Sequence, residues 1–133
     1  MKVVLDTRFF VEFFYSKDVN RLNKFKKKLN ELTSNKEGML PTIVLAEIVQ
    51  ITCERKGKEV ANIRYFSLKE SGLEIVQISE EIARDTGLLK CKYRNVPMGD
   101  CFISAIAIKE KARILSDDKH FDEITEVKRV WIT

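Results

Sequence analysis

Four acidic side chains stand where short apolar segments end or where helices begin. Asp6 follows the aliphatic run VVL, and Asp118 follows RIL and two intervening residues. Asp100 stands at the start of a predicted helix, and Glu47 lies one turn into another helix among apolar neighbours. If these segments belong to one parallel sheet, the four carboxylates can meet in a cleft at its carboxyl edge.

A cluster of carboxylates requires a counter-charge. Two unit charges about 4 Å apart repel by about 4 kcal/mol at an effective dielectric constant of about 20. Four acids therefore need a divalent cation or a shifted protonation state. Ligands that are all oxygen favour Mg²⁺ or Mn²⁺ over zinc. Because such a cation can bind a phosphate oxygen and activate water, the chemistry indicated is phosphodiester hydrolysis.

Each acid also has a purely structural interpretation. Asp100 follows a glycine and can serve as a helix cap, and Glu47 shares a helix face with other polar residues. Asp6 and Asp118 can be ordinary turn acids at strand ends. The prediction of a site therefore depends on the four acids together.

The order of the predicted elements indicates how the acids are positioned. Helices alternate with short apolar strands, which are predicted at residues 3–5, 39–40, 73–78, 113–116 and 127–132. One helix ends at Gly57, Ser79 caps another, and a third begins at Asp100. This alternation predicts an α/β fold with a central parallel sheet covered by helices on both faces. We expect residues 1–133 to form a single domain.

Composition narrows the class of protein. The chain carries 24 Lys or Arg and 20 Asp or Glu, a net charge of +4. Residues 16–36 alone carry seven basic and two acidic side chains, a local charge of +5, which predicts a basic face. Three cysteines without C-x-x-C spacing and one histidine indicate neither a zinc site nor a disulfide framework. No segment is typical of a signal peptide or membrane span, so we expect a cytoplasmic protein.

Four segments resemble a known family in order and spacing. DTRFF, VLAEIVQ, MGDCFISAIAI and SDDKHF resemble the four acidic motifs of PIN-domain nucleases, particularly VapC-type toxins, over nearly the whole chain. The resemblance implies a single PIN domain, a three-layer α/β/α sandwich. It also implies a Mg²⁺- or Mn²⁺-dependent endoribonuclease that hydrolyses RNA with metal-activated water. The implied catalytic and metal-binding residues are Asp6, Glu47, Asp100 and Asp118.

The last motif decides which of two adjacent acids is the ligand. The family has Thr or Ser, a variable residue, the acid, two variable residues and an aromatic, which aligns Asp118 with the ligand and Asp117 with the variable residue. The alignment implies that Ser116 hydrogen-bonds within the cluster, and Thr7 is a second supporting residue. His120 is interpreted as a surface residue or a support for the acids, since a lone histidine lacks partner ligands.

Arg8 departs from the family pattern, which commonly has a small polar residue after the first acid and Thr7. An arginine at this place can hold a phosphate of the substrate, or it can neutralise the acids and weaken metal binding. The sequence leaves both interpretations open. With Lys24, Lys27 and Lys28 of the basic segment, Arg8 is a candidate RNA contact, although a solvated helix face explains these lysines equally well.

The resemblance also implies protein partners. VapC-type proteins dimerise and are inhibited by an antitoxin, so a homodimer with a small VapB-type antitoxin is expected. The aromatic run FFVEFFY places rings on more than one helix face. We expect Phe9 or Tyr15 to be partly exposed, in a partner groove lined by Phe9, Phe13 and Tyr15. The alternative is a helix buried on two sides within the monomer.

A second class of function fits the same motifs. A PIN-like protein can process RNA without an antitoxin, or it can keep the acids and bind RNA without cutting it. Metal-dependent cleavage that is lost in Asp6→Asn or Asp100→Asn separates a nuclease from a binding module.

Overall fold

A computed structural model describes residues 1–132 of the chain. Thr133, the last residue of the predicted domain, lies outside the described residues. The elements in chain order are β1 (Val3–Leu5), α1 (Thr7–Tyr15), α2 (Val19–Ser34), β2 (Gly38–Pro41), α3 (Thr42–Lys56), α4 (Lys58–Lys69), β3 (Glu74–Val76), α5 (Glu80–Lys92), α6 (Met98–Glu110), β4 (Arg113–Leu115) and β5 (Arg129–Val130). A short 3₁₀ helix, Lys119–Glu123, lies between the last two strands.

Within residues 1–132, the strands form one five-stranded sheet in the order β3-β2-β1-β4-β5. Every neighbouring pair is parallel. Helix α6 packs against β1 and β4, and α2 and α3 pack against β2. The predicted α/β fold, a central parallel sheet between layers of helices, is confirmed. The chain runs outward from β1 to β3 and then crosses to β4, so the strand order reverses between β1 and β4. Ligand sites of such sheets lie at the carboxyl ends of the strands at this reversal.

The core explains why the strands and α6 are so apolar. Val4, Leu5 and Ile114 are fully buried in neighbouring strands, as expected for parallel strands covered on both faces. Helix α6 is buried along most of its length, because it lies between α5 and the sheet. This burial fixes the start of α6, where Asp100 lies. No helix among the described residues is long and apolar enough to cross a membrane.

Local sequence signals predicted several element boundaries correctly. Helix α3 ends before Gly57, whose φ of 91° is favourable only for glycine, and Ser79 caps α5 by accepting a hydrogen bond from the Ile82 N–H. Helix α6, however, begins at Met98 rather than Asp100, because Pro97 occupies its N-cap position. The last strand is also shorter than predicted and comprises only Arg129–Val130.

Helix α1 is more deeply buried than predicted. It packs against both α2 and α3, and Phe9 is 0% exposed, with its ring centroid 5.2 Å from that of Phe25 in α2. The expectation that Phe9 lines an open groove is therefore wrong. Phe13 and Tyr15 are half-buried. The alternative prediction, a helix covered on two sides within the monomer, describes the first turns of α1 better.

Candidate active site

Asp6 lies at the carboxyl end of β1, next to Ser116 at the end of β4. Asp6 is the N-cap residue of α1 and is only 4% exposed. The buried Ser116 hydroxyl donates a hydrogen bond of 2.6 Å to Asp6 Oδ2. Burial raises the pKa of Asp6 to about 6, and the hydrogen bond from Ser116 opposes this increase. The pairing of β1 with β4 thus brings together two residues that are far apart in sequence.

Asp118 and Asp100 lie beside this pair. Asp118 caps the 3₁₀ helix by accepting a hydrogen bond of 2.9 Å from the His120 N–H, and its own N–H donates to Ser116 Oγ at 3.0 Å. Burial, followed by repulsion from Asp118 and Asp6, raises the pKa of Asp100 to about 7, and His120 opposes the increase. Asp100 Oδ2 is buried and has no hydrogen-bond partner within residues 1–132.

Glu47 joins the group from α3. Thr7, the first residue of α1, donates a hydrogen bond of 2.9 Å from Oγ1 to Glu47 Oε1, and the Glu47 charge contributes to the raised pKa of Asp6. The structure therefore brings the four predicted acids to the same end of the sheet. Asp118 also serves as a cap, but Asp100 does not, because no side chain caps α6.

Arg8 is directed toward the variable acid of the last motif. Its Nε donates to Asp117 Oδ1 at 2.9 Å and its Nη2 donates to Asp117 Oδ2 at 3.3 Å. These bonds lower the pKa of Asp117. The ion pair connects the segment after β1 with the segment after β4, on the exposed side of the cluster. The guanidinium hydrogen bonds are thus made outside the four acids.

His120 is part of the cluster, which the sequence did not indicate. Its Nδ1 lies 2.8 Å from Asp118 Oδ1 and 3.7 Å from Asp100 Oδ2, and one ligand atom from each of the three residues lies within 4.8 Å of the others. The only sequence signal was its position two residues after the predicted ligand. Together with the unpartnered Asp100 oxygen, this donor set fits a divalent cation.

Comparison with models of protein families identifies the family of this chain. A family model described as PIN domain matches residues 3–127. The chain belongs to the PIN domain family. No curated protein sequence matches it.

Solved structures with this PIN fold are distant in sequence. VapBC2 from Rickettsia felis, bound to a promoter DNA fragment, has a TM-score of 0.79 at 22% identity over 98% of each chain. DNA-bound VapBC from Salmonella typhimurium has a TM-score of 0.80 at 18% identity, also over 98% of each chain. Mycobacterium tuberculosis VapC20, described as a sarcin-ricin loop cleaving toxin, has a TM-score of 0.70 at 16% identity over 93% of this chain and 95% of its own. At these identities the similarity shows the fold.

The three lysines predicted to contact RNA, Lys24, Lys27 and Lys28, line different cavities of this PIN domain. Lys24 lines a cavity with Arg21 and Phe25, and Arg21 is close enough to Asp117 to lower its pKa. The start of α2 is therefore on the side of the acids. Lys28 instead lines a cavity with Met1 and residues of β1, β4 and β5. Lys27 lines a third, open cavity with Lys26.

Helix α4 carries an exposed apolar surface, whereas the aromatic rings of α1 are buried or half-buried. We define the α4 apolar face as Val60, Ile63 and Phe66; Ile63 is 69% exposed and Phe66 59% exposed. In contrast, the Tyr15 ring is covered by the Arg55 guanidinium at 4.1 Å. Sequence reasoning missed this surface, although apolar residues at i, i+3 and i+6, in addition to those that α4 buries, are its signal.

Proposed function

We propose that this PIN domain is the VapC-type toxin of a toxin–antitoxin pair, an endoribonuclease that hydrolyses RNA phosphodiesters. The observation that carries the proposal is the convergence of Asp6, Glu47, Asp100 and Asp118 where the strand order reverses. The fold is shared with VapC20, whose description names an RNA-cleaving toxin, and this supports RNA as the substrate. Unpaired RNA loops are the form that proteins most often read by sequence.

The acids and the two hydroxyl residues have different roles in the proposed reaction. When bound, Mg²⁺ or Mn²⁺ supplies a Lewis acid for a phosphate oxygen and lowers the pKa of the attacking water. Asp100 and Asp118 would hold this ion, with Asp6 and Glu47 completing the negative pocket. Ser116 and Thr7 orient Asp6 and Glu47 through hydrogen bonds, because an acid with one oxygen fixed keeps its other oxygen in a defined direction.

Arg8 completes the proposed site at its exposed edge. Its ion pair with Asp117 fixes the guanidinium plane near the acids, and an arginine held in this way can bind an RNA phosphate through its remaining N–H groups. The pairing with Asp117 also compensates part of the arginine charge. We therefore assign Arg8 to substrate binding rather than to neutralisation of the metal ligands.

The proposed partner is a small VapB-type antitoxin that binds the α4 apolar face. Arg64, on the same helix, donates a hydrogen bond of 2.9 Å to the Tyr15 hydroxyl and lies 3.9 Å from the Phe14 ring centroid. The α4 apolar face is therefore connected to the end of α1, where the half-buried Phe13 and Tyr15 lie. The related structures from Rickettsia felis and Salmonella typhimurium are VapBC assemblies, which favours a partner protein over solvent at this surface.

We further propose a homodimer formed through α5 and α6. Leu88 is 64% exposed, and it lines a cavity between these helices with the partly exposed Ile108. Adjacent exposed apolar side chains can form a protein–protein contact, and most soluble oligomers are symmetric assemblies of identical subunits. This surface uses different helices from the α4 apolar face, so dimerisation and antitoxin binding can be separated by mutation.

The proposed activity is tested by incubating the purified chain with a structured RNA and Mn²⁺. Wild type is expected to cut at discrete positions, while Asp6→Asn and Asp100→Asn do not cut. Glu74→Gln, which changes an exposed acid of β3 outside the cluster, is the control and is expected to retain activity. Wild type that binds RNA without cutting it in Mg²⁺ or Mn²⁺ would overturn the nuclease assignment and favour an RNA-binding module.

A further inference from the structure

His120 is the only histidine in the chain, and the structure places its ring between two acids. Nδ1 lies 2.8 Å from Asp118 Oδ1 and 3.7 Å from Asp100 Oδ2. The backbone fixes this position, since Asp118 caps the 3₁₀ helix by accepting the His120 N–H at 2.9 Å. The imidazole is therefore attached to the same turn as one of the proposed metal ligands.

The distance between Nδ1 and Asp100 Oδ2 is informative. At 3.7 Å it is too long for a hydrogen bond, and Oδ2 is buried without any hydrogen-bond partner within residues 1–132. Two ligand atoms that are each about 2.1 Å from one ion lie at most about 4.2 Å apart. The separation of these two atoms therefore suits joint binding of one cation better than direct bonding to each other.

The two acids outside this trio each accept a hydrogen bond from a side-chain hydroxyl. One oxygen of Asp6 accepts a hydrogen bond from Ser116, and one oxygen of Glu47 accepts a hydrogen bond from Thr7. Asp100, Asp118 and His120 each offer a ligand atom within 4.8 Å of the others. The described residues thus provide a donor set of two carboxylates and one imidazole.

We propose that His120 is a third protein ligand of the cation held by Asp100 and Asp118, and that its imidazole shifts the preference of the site from Mg²⁺ toward Mn²⁺ and Co²⁺. The inference rests on the proposed function, which requires the cation. Mg²⁺ prefers oxygen ligands and gives up its bound water molecules reluctantly. An imidazole nitrogen is instead a good ligand for transition-metal ions. An all-acid cluster lacks this source of discrimination.

The first experiment detects the nitrogen ligand directly and needs no variant. Because His120 is the only histidine, tag-free protein labelled with ¹⁵N-histidine contains a single labelled imidazole. Pulsed electron paramagnetic resonance of the Mn²⁺ complex is expected to show a nitrogen coupling that changes between ¹⁴N and ¹⁵N protein. Mn²⁺ that binds without such a coupling would overturn the proposal and leave His120 as a hydrogen-bond partner of Asp118.

The second experiment measures selectivity by calorimetric titration of Mg²⁺, Mn²⁺ and Co²⁺. His120→Gln is expected to weaken Mn²⁺ and Co²⁺ binding by about tenfold or more and to change Mg²⁺ binding less. Lys119→Gln, at the neighbouring exposed position of the same 3₁₀ helix, is the matched control and is expected to keep the wild-type Mn²⁺/Mg²⁺ ratio. An unchanged ratio in His120→Gln would contradict the inference.

These readouts separate the inference from the proposed function. A nitrogen coupling and a selectivity change in a protein that does not cut RNA would support His120 as a ligand and overturn the nuclease assignment. RNA cleavage with Mn²⁺ but without a nitrogen coupling would support the nuclease assignment and overturn His120 as a ligand. Failure of wild type to bind any of the three ions would overturn both.

Discussion

Ser116 Oγ lies 2.6 Å from Asp6 Oδ2 and also 3.0 Å from the backbone nitrogen of Asp118. One hydroxyl thus donates to the first acid of the cluster and accepts from the backbone of the last. This bond crosses from β1 to β4, the two strands between which the sheet order reverses. Ser116 therefore fixes the position of Asp6 relative to the backbone of Asp118.

Ser116→Ala is expected to destabilise the protein and to lower its activity. The change leaves the buried Asp6 oxygen and the Asp118 N–H without this partner, at a cost of about 1–3 kcal/mol. It also removes a bond that lowers the pKa of Asp6, so the acid should protonate more easily. Urea denaturation and RNA cleavage measure both effects. Ser116→Thr keeps the hydroxyl and should keep most activity; equal losses in both variants would contradict this role.

Stability of the cation-free protein should decrease as pH rises from about 4 to about 7. The folded-state pKa values of Asp6 and Asp100, about 6 and about 7, lie above the ordinary 3.8. The folded state therefore binds more protons than the unfolded state in this window, and its stability is lost as these protons leave. Thermal melts at several pH values in a chelator measure the slope.

Asp100→Asn should make the cation-free protein more stable at pH 7.5, on the order of 2 kcal/mol, because it removes a buried charge. Mn²⁺ should raise the melting temperature of wild type, since it binds only the folded chain, and should have little effect on Asp100→Asn. Glu74→Gln, at an exposed acid of β3, is the control for loss of an acid elsewhere. A melting temperature of wild type that does not respond to Mg²⁺ or Mn²⁺ would count against the cluster.

Asp117→Asn should retain far more RNA cleavage than Asp118→Asn. Asp117 pairs with Arg8 outside the four acids. Both side chains are partly exposed, so the pair contributes at most about 1 kcal/mol to stability. Asp118 both caps the 3₁₀ helix and lies among the acids, and its loss should reduce the cleavage rate by about 100-fold or more. Single-turnover rates on one RNA provide the measurement. The reverse ranking would mean that Asp117 is the ligand.

Lys24→Gln should weaken RNA binding more than Lys28→Gln. Lys24 shares a cavity with Arg21, which interacts with Asp117 beside the acids, whereas Lys28 lines a different cavity with Met1 and Glu37. Loss of one phosphate contact should reduce the slope of log affinity against log salt by about 0.7 for single-stranded RNA. Fluorescence anisotropy at several salt concentrations measures the slope, with Lys27→Gln as a further comparison. Equal effects at the three positions would indicate that the lysines act through their general positive potential and not through a phosphate contact of Lys24.

Ile63→Ser with Phe66→Ser should abolish binding of a co-expressed VapB-type protein and leave the dimer intact. Both residues are exposed on α4, so the fold should tolerate the change. Leu88→Ser with Ile108→Ser should instead produce a monomer that still binds this partner. Size-exclusion chromatography with light scattering measures both outcomes. A monomeric wild type, or a partner that binds equally to all variants, would contradict these surfaces.

The acids could be predicted from sequence because their positions follow from the topology of a parallel sheet. Asp6 and Asp118 each come soon after a short apolar strand, and the carboxyl ends of parallel strands lie at one edge. Local chemistry likewise predicted the stop at Gly57 and the cap at Ser79. These features depend on a few neighbouring residues.

Features that depend on distant packing were not predictable. Phe9 is buried because α2 and α3 both cover α1, which no periodicity within α1 reveals. The pairing of Arg8 with Asp117 joins residues 109 positions apart. The place of His120 in the cluster depends on the distance between a 3₁₀ helix and the start of α6, which a single sequence does not contain.

The adjacency of β1 and β4 has a consequence for biosynthesis. Ser116 is made 110 residues after Asp6. At a translation rate of about 5–20 residues per second, the interval between the two is on the order of 10 s. A nascent chain therefore lacks Asp100 and Asp118, half of its acidic cluster, for most of this interval. The RNA cleavage that we propose therefore cannot begin before Asp118 has been made.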